Sequence, residues 1–250
     1  MIYVFLPAYN EAQALPRLVK KFDEEFKKAK LAYRIVVLDD GSSDGTASSA
    51  MDLARIYPLE LLKHEVNRGL GQTMADGLRH VANISSADDL MVTMDCDDTH
   101  EPRYMHDAFN KLAQGYDLVI LSRYQKGGGE EGLSAFRSIL SRGAGLALKL
   151  FFPIKGVKEY SCGYRVCRAS ILKKAFEVFG DQLVRLPNMG FVVTPELLIK
   201  FRMLGARIAE VPFVLSYGQK AGPSKNRPLK TIKGYFFLVL YFWGRKAKKK

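Results

Sequence analysis

The stretch Arg34-Ile35-Val36-Val37-Leu38-Asp39-Asp40-Gly41-Ser42-Ser43-Asp44-Gly45-Thr46 decides the class of fold. Its aliphatic run reads as a strand buried on both faces, as in parallel sheets. The run stops at two acids and a Gly-Ser-Ser-Asp-Gly turn, and Ser-Asp-Gly-Thr suits the start of a helix. Outward from it, 2–6, 90–94 and 117–121 read as further buried strands. Apolar residues at helical spacing fill 12–29, 44–56, 70–83 and 103–114. Strand and helix alternating at this rhythm predict an α/β fold with a mostly parallel sheet flanked by helices.

Beyond residue 125 the pattern changes. The stretch from Gly127 to Gly132, Gly-Gly-Gly-Glu-Glu-Gly, reads as a flexible, charged linker. Residues 133–152 predict an amphipathic helix with Phe136, Ile139, Leu140, Leu146, Ala147 and Leu150 along one side. Arg137, Ser141 and Lys149 fall on another face. Thr194-Pro195-Glu196 reads as an N-cap, a Pro at the first helical position and an acid in the first turn. A strand over 206–215 and a basic loop over 218–234 follow. The longest uninterrupted apolar run is Tyr235 to Trp243. As a helix it covers roughly half of a bilayer's hydrocarbon core, so it predicts surface association and not a span.

Composition narrows the class further. The chain has 250 residues, 48% of them hydrophobic and 26% charged, which suits a soluble globular protein of one domain or two small ones and excludes disorder and collagen-like structure. Cys96, Cys162 and Cys167 show no CxxC spacing, so a disulfide framework and a zinc ribbon are not expected and a reducing compartment is. The opening Ile2-Tyr3-Val4-Phe5-Leu6 lacks the basic flank and cleavage site of a secretory signal. Net charge is +12, yet ten Lys or Arg and no acid lie between Val211 and Lys250, so the rest of the chain is nearly neutral. That distribution argues against a nucleic-acid binder and for an anionic ligand or lipid surface.

In open α/β sheets, ligands bind beyond the carboxyl ends of the strands. There stand Pro7-Ala8-Tyr9-Asn10-Glu11, then Asp39 and Asp40, then Asp95-Cys96-Asp97-Asp98-Thr99-His100. Acids crowded on one rim of a basic protein repel one another unless compensated, and a divalent cation is the economical compensation. Asp95 and Asp97, two apart on extended chain, share a face and suit Mg2+ or Mn2+. Asp39 and Asp40 read as ligand contacts. Asp44 reads as turn chemistry, His100 as structural, and Glu196 as a helix-start acid.

These residues resemble family 2 glycosyltransferases of the GT-A fold. The motifs carrying the likeness are the Pro7–Glu11 loop, Asp39 to Thr46, Asn67-Arg68-Gly69-Leu70-Gly71 and Asp95-Cys96-Asp97. Ser122-Arg123-Tyr124, the stretch from Phe136 to Gly143, Ser161-Cys162-Gly163-Tyr164-Arg165, Glu210-Val211-Pro212-Phe213 and Ser224-Lys225 resemble the dolichyl-phosphate mannose synthase branch. The resemblance implies a nucleotide-sugar donor, GDP- or UDP-linked, with GDP-mannose the first to test, a divalent metal (Mg2+ or Mn2+), and inversion at the anomeric carbon. It implies that Pro7, Ala8, Tyr9, Glu11 and Asp39 hold the nucleoside and that Asp95 and Asp97 flank the diphosphate. Asp97 would be a direct metal ligand. Thr99 would be a third, at a position where the branch usually has Gln. Lys225 would cover the donor diphosphate.

On the acceptor side, a polyprenyl phosphate is already ionised and needs cations to position it, not a base. Arg123 and Arg137 are the expected clamp, with Ser141 one turn past Arg137. The expected layout is a catalytic domain over 1–230, with a nucleotide-sugar half (1–125) and an acceptor half (126–230). An apolar, then basic tail over 231–250 would rest on an anionic membrane surface at its cytoplasmic side. Two other readings compete. One is transfer to a sugar hydroxyl with Glu196 or Asp98 as base, and the other a non-catalytic membrane-binding module of the same fold.

Overall fold

The computed structural model describes residues 1–219 and 228–242. Its main sheet contains β1 (Ile2–Ala8), β2 (Tyr33–Asp40), β3 (Leu59–His64), β4 (Leu90–Thr93) and β5 (Leu118–Ser122). A small ribbon strand, β6 (Gly129–Glu131), precedes two more strands of that sheet, β7 (Arg165–Arg168) and β8 (Ile208–Pro212). The sheet order is β3-β2-β1-β4-β7-β5-β8, and β6 pairs in parallel with β9 (Val214–Ser216). All pairings in the main sheet are parallel except those of β7, which runs antiparallel to both β4 and β5.

Period-two alternation along the central strands explains why both faces are buried. Tyr3, Phe5, Val36 and Leu38 point into one core, while Ile2, Val4, Leu6, Ile35 and Val37 point into the other. The second core is closed by α1 (Leu15–Ala29), through Leu15, Leu18, Val19, Phe22 and Phe26, by Ala50 of α2 (Thr46–Ala54), and by Met105, Ala108 and Leu112 of α4 (Met105–Ala113). The first is closed mainly by α3 (Leu70–Ile84), α6 (Ala169–Phe179) and α7 (Val193–Met203), with Leu148 of α5 (Ala135–Phe151) and Leu238 of α8 (Pro228–Phe242) at its margin.

Contact between α3 and β1 is close enough to exclude a side chain at Gly77. A Cβ there would lie 2.0 Å from Cζ of the fully buried Phe5 ring. Gly77→Ala gains helix propensity, about 1 kcal/mol, but forces repacking of an interior at crystal-like density, which costs about 1–3 kcal/mol. Urea denaturation is therefore expected to show a lower midpoint at unchanged slope. A raised midpoint would mean that the Phe5 ring turns aside freely.

Three local expectations are corrected. Residues 127–132 are not a free linker, because β6 lies within them and pairs with β9. Their glycines make the sharp return: Gly127 has φ 93, and a Cβ on Gly128 would sit 2.5 Å from the Ser122 carbonyl. Thr194 is not an N-cap, since a 3-10 turn over Gly190–Val192 runs straight into α7 at Val193. The basic loop expected over 218–234 ends earlier than its charges suggest, because α8 begins at Pro228 and carries the aromatic run on to Phe242.

Candidate active site

Strand β1 lies between β2 and β4, so the loops leaving its carboxyl end and theirs diverge and open a crevice. On the first side of it, Asn10 takes a left-handed conformation (φ 53), which Asn tolerates better than most residues. The turn lets the Asn10 amide donate to Ser42 Oγ at 2.8 Å while Asn10 Oδ1 accepts from the Ser43 amide at 2.9 Å. The Glu11 amide donates to Thr46 Oγ1 and the Ala12 amide to Asp44 Oδ2. Burial works to raise the Asp44 pKa, but the Thr46 hydroxyl and the Ala12 and Thr46 amides outweigh it and hold the carboxyl below its ordinary range. Asp44 thus ties the β1 and β2 loops together, and Pro7, Ala8, Tyr9 and Glu11 stand on the rim those ties build.

The two adjacent acids separate in role. Asp39 Oδ1 accepts from the Ser42 amide and hydroxyl, whereas its Oδ2 is buried with no hydrogen-bond partner among the described residues. An unmet carboxylate oxygen costs about 1–3 kcal/mol or more, and a ligand N–H would relieve it. Asp40, expected to touch ligand, is instead used up by the fold. Its Oδ1 accepts from His64 Nδ1 and the Arg68 amide, and its Oδ2 from the Gly69 amide, so it anchors the loop entering α3.

Beyond β4, Asp95 is half-buried and Asp97 is buried. Thr99 donates to Asp97 Oδ1 through both its amide (3.2 Å) and its hydroxyl (2.7 Å). The Thr99 hydroxyl, expected as a metal ligand, orients Asp97 by donating to it and keeps its oxygen lone pairs. His100 lies 5.3 Å from the Phe213 ring centroid in a stack and edge-on to Tyr164, a packing role. Asp98, in left-handed backbone (φ 60), receives Arg17 Nε at 3.1 Å and Lys21 Nζ at 2.8 Å, which neutralise it. Among the described residues no group of three His, Cys, Asp or Glu side chains could hold a metal ion by itself. Two carboxylates fit a hard cation that completes its shell with phosphate oxygens and water.

Because β7 is antiparallel, the segment before it arrives at the same rim as the ends of β4 and β5. Thr93 and Ile120 both pair with Arg165. A Cβ on Gly163 would lie 3.2 Å from Asp95 Oδ1, and the Gly163 carbonyl accepts from Thr93 Oγ1. Arg165 is wholly buried and donates to the carbonyls of Cys162, Thr194 and Tyr160; burial lowers its pKa to about 10. It pins the loop in place.

At the end of β5, Arg123 donates through Nε and Nη2 to both oxygens of Glu159, at 2.8 and 3.0 Å, and through Nη1 to Glu130 at 2.9 Å. Weaker contacts reach Ser141 and Ser161, and Tyr124 lies under the guanidinium. Burial opposes the charged guanidinium, but Glu159 outweighs it and raises the Arg123 pKa, so Arg123 stays a cation. Expected to face a phosphate directly, it is found between two carboxylates. Glu130 and Glu159 were not anticipated. Glu130 was hidden in a glycine-rich stretch, and Glu159 stands in no motif. The Arg137 side chain and Lys225 lie outside the described residues.

Glu196 is fully buried in an ion pair with Lys200 Nζ at 2.5 Å and accepts the amides of Arg185 and Leu186. What holds Glu196 at the start of α7 is this pair and not helix capping. The buried Cys162 and Cys167 thiols are pushed by burial up to about 12, which leaves them protonated and unreactive at neutral pH.

Ile139, Leu146 and Leu150 of α5 and Ile232, Phe236 and Leu240 of α8 are each more than half exposed. The chain just after α5 meets the end of α8 at Phe152 and Phe242, whose ring centroids are 6.0 Å apart. Among the described residues no helix is long and apolar enough to cross a membrane.

Comparison with known proteins follows the same lines. A family model described as Glycosyl transferase family 2 matches residues 3–176. Dolichol-phosphate mannosyltransferase of Pyrococcus furiosus is 29% identical over 235 residues, covering 94% of this chain but only 61% of that protein. Polyprenol monophosphomannose synthase of Mycolicibacterium smegmatis is 27% identical over 215 residues, 85% of this chain and 76% of that protein. Among solved structures, mannosyl-3-phosphoglycerate synthase from Rubrobacter xylanophilus superposes with a TM-score of 0.64 at 14% identity, covering 100% of this chain and 76% of that one. Glucosyl-3-phosphoglycerate synthase from Mycobacterium tuberculosis, in complex with Mn2+ and UDP-glucose, gives 0.62 at 19% identity, covering 100% and 80%. At such identities the structural likeness is one of fold, and the fold is the GT-A arrangement expected from the sequence.

Proposed function

From the membership of this chain in glycosyl transferase family 2, we propose that it transfers a sugar, mannose first to test, from a nucleotide-sugar to a polyprenyl phosphate. The observation that carries the reading is the 159–163 segment. Within five residues it joins the carboxylate partner of Arg123 to the backbone packed on Asp95, which ties the cationic group after β5 to the acidic one after β4. The names of the Pyrococcus and Mycolicibacterium relatives support the acceptor class.

In this reading the rim of Pro7, Ala8, Tyr9, Glu11 and Asp39 holds the nucleoside, with the unmet Asp39 oxygen taking a donor from it. Asp95 and Asp97 hold Mg2+ or Mn2+, with Thr99 orienting Asp97. When bound, the ion supplies positive charge beside the leaving diphosphate. Arg123, with Ser141 and Arg137, holds the acceptor phosphate, and Lys225 covers the donor. A phosphate oxygen attacks the anomeric carbon from the face opposite the nucleoside diphosphate. The new C–O bond forms as the old one breaks, with inversion. No proton has to be removed from the nucleophile, so no base is required. Transfer to a hydroxyl would need one, and Glu196 and Asp98 are both held in ion pairs.

The nucleotide-sugar half (1–125) and acceptor half (126–230) interleave in one sheet, since β7 of the second lies between β4 and β5 of the first. The exposed apolar faces of α5 and α8, with the basic residues beyond them, rest on an anionic membrane surface on its cytoplasmic side, where such an acceptor resides.

The test is sugar transfer into the organic phase, using polyprenyl phosphate, Mn2+ or Mg2+, and a panel of GDP- and UDP-sugars. Metal-dependent lipid product is expected, with none after EDTA. Donor turnover onto a hydroxyl acceptor, with no lipid product, would overturn the acceptor assignment.

A further inference from the structure

We propose that Glu130 is an internal stand-in for the acceptor phosphate, holding the Arg123 guanidinium until a phosphate displaces it and thereby setting how readily the acceptor enters. The inference rests on the acceptor reading above. Glu130 Oε1 lies 2.9 Å from Arg123 Nη1, and its Oε2 accepts the Ser138 hydroxyl at 2.6 Å. A guanidinium N–H and a serine hydroxyl are what a phosphate oxygen would take in the same place. The Glu130 and Arg123 side chains are 7% and 9% exposed, so the pair is shielded from competing water.

The two carboxylates on Arg123 differ in kind. Glu159 is fully buried, and its Oε1 also accepts from the Ser161 and Cys162 amides and the Ser161 hydroxyl. Its own amide is held by Glu210. Removing it would unpick the segment that packs on Asp95. Glu159 is thus a permanent countercharge that orients the guanidinium. Glu130 stands on a three-residue strand paired only with β9 among the described residues, between Gly127 and Gly132, both in left-handed backbone. The hydrogen bonds to its carboxylate come from Arg123 and Ser138. Ser138 lies between Arg137 and Ser141 on α5.

Charge supplies the reason for displacement. One guanidinium with two carboxylates carries a net charge of −1, and a phosphate approaching that field is repelled. When Glu130 swings away, one negative charge leaves and an Nη1 hydrogen and a hydroxyl become available. No covalent bond changes, and β6 can keep its pairing.

The experiment is binding of a short-chain polyprenyl phosphate in detergent by wild type, Glu130→Gln, Glu130→Ala and Glu159→Gln, with acceptor and donor KM measured separately. Glu130→Gln keeps the shape and removes the charge. Acceptor Kd and KM are expected to fall by about tenfold, the scale separating a charge-assisted from a neutral hydrogen bond, with donor KM unchanged. Glu130→Ala should move the same way, whereas in Glu159→Gln the relief of charge is outweighed by loosening of the 161–162 segment and of the guanidinium that Glu159 orients, so acceptor affinity should weaken. Far-UV circular dichroism and melting check that each variant folds. Acceptor affinity unchanged or weakened in both Glu130 variants would overturn the proposal and leave the acceptor reading standing. Nucleotide-sugar binding with no polyprenyl-phosphate binding, by wild type and every variant, would overturn both.

Discussion

Asp97→Asn is expected to lower sugar transfer by on the order of 10³-fold while leaving the fold intact. The amide is nearly the shape of the carboxylate, and its oxygen can still accept the Thr99 amide and hydroxyl that now bind Asp97 Oδ1. What disappears is one of the two negative charges, Asp95 and Asp97, beyond the end of β4. A cation at a developing phosphate charge contributes several kcal/mol, and each 1.4 kcal/mol is tenfold in rate. Two measurements check it. Lipid-phase product should fall, and the Mn2+-dependent part of nucleotide-sugar binding, followed by calorimetry, should vanish with it. A loss below tenfold, with Mn2+-dependent binding retained, would remove Asp97 from the metal site.

Glu196→Gln should act on stability and spare chemistry. Glu196 and Lys200 are both buried, one turn apart on α7, and Lys200 also donates to the carbonyls of Gln182 and Leu183. Breaking a buried pair from one side leaves an uncompensated charge, which costs about 3–5 kcal/mol. Burial already lowers the Lys200 pKa, so the ammonium can shed its proton and the loss should fall at the lower end. For a chain of this size, that is a drop in Tm of roughly 10 °C. Transfer per folded molecule, measured well below that Tm, should stay within about threefold. Adding Lys200→Met should restore much of the stability, because an apolar replacement of a whole buried pair is often tolerated. Abolished turnover at unchanged Tm would instead make Glu196 a base and revive the hydroxyl-acceptor reading.

Much of the donor side was legible in residue order. Aliphatic runs that end in acids are local signals, and parallel strands deliver those ends to one rim, so Asp39, Asp95 and Asp97 could be named from position alone. Asp40 could not be told from Asp39. Its partners His64, Arg68 and Gly69 come from β3 and the loop before α3, and nothing adjacent in sequence announces them. Arg123 was legible as a cation after a strand, but its two carboxylates were not. Glu130 reads as part of a glycine-rich linker until β9 pairs with β6, and Glu159 stands in no motif until the chain entering β7 brings it to Arg123.

The sequence by itself determined the α/β class, the strands that bury both faces and the acidic rim, because side-chain periodicity and turn chemistry act over a few residues. The tertiary structure alone decided which charges are available. Antiparallel insertion of β7 between β4 and β5 brings Glu159 to Arg123 and Gly163 to Asp95, and the packing of α7 sinks Glu196 onto Lys200. An ionisable group's role depends on the charge within a few ångströms of it, and long-range pairing sets that distance.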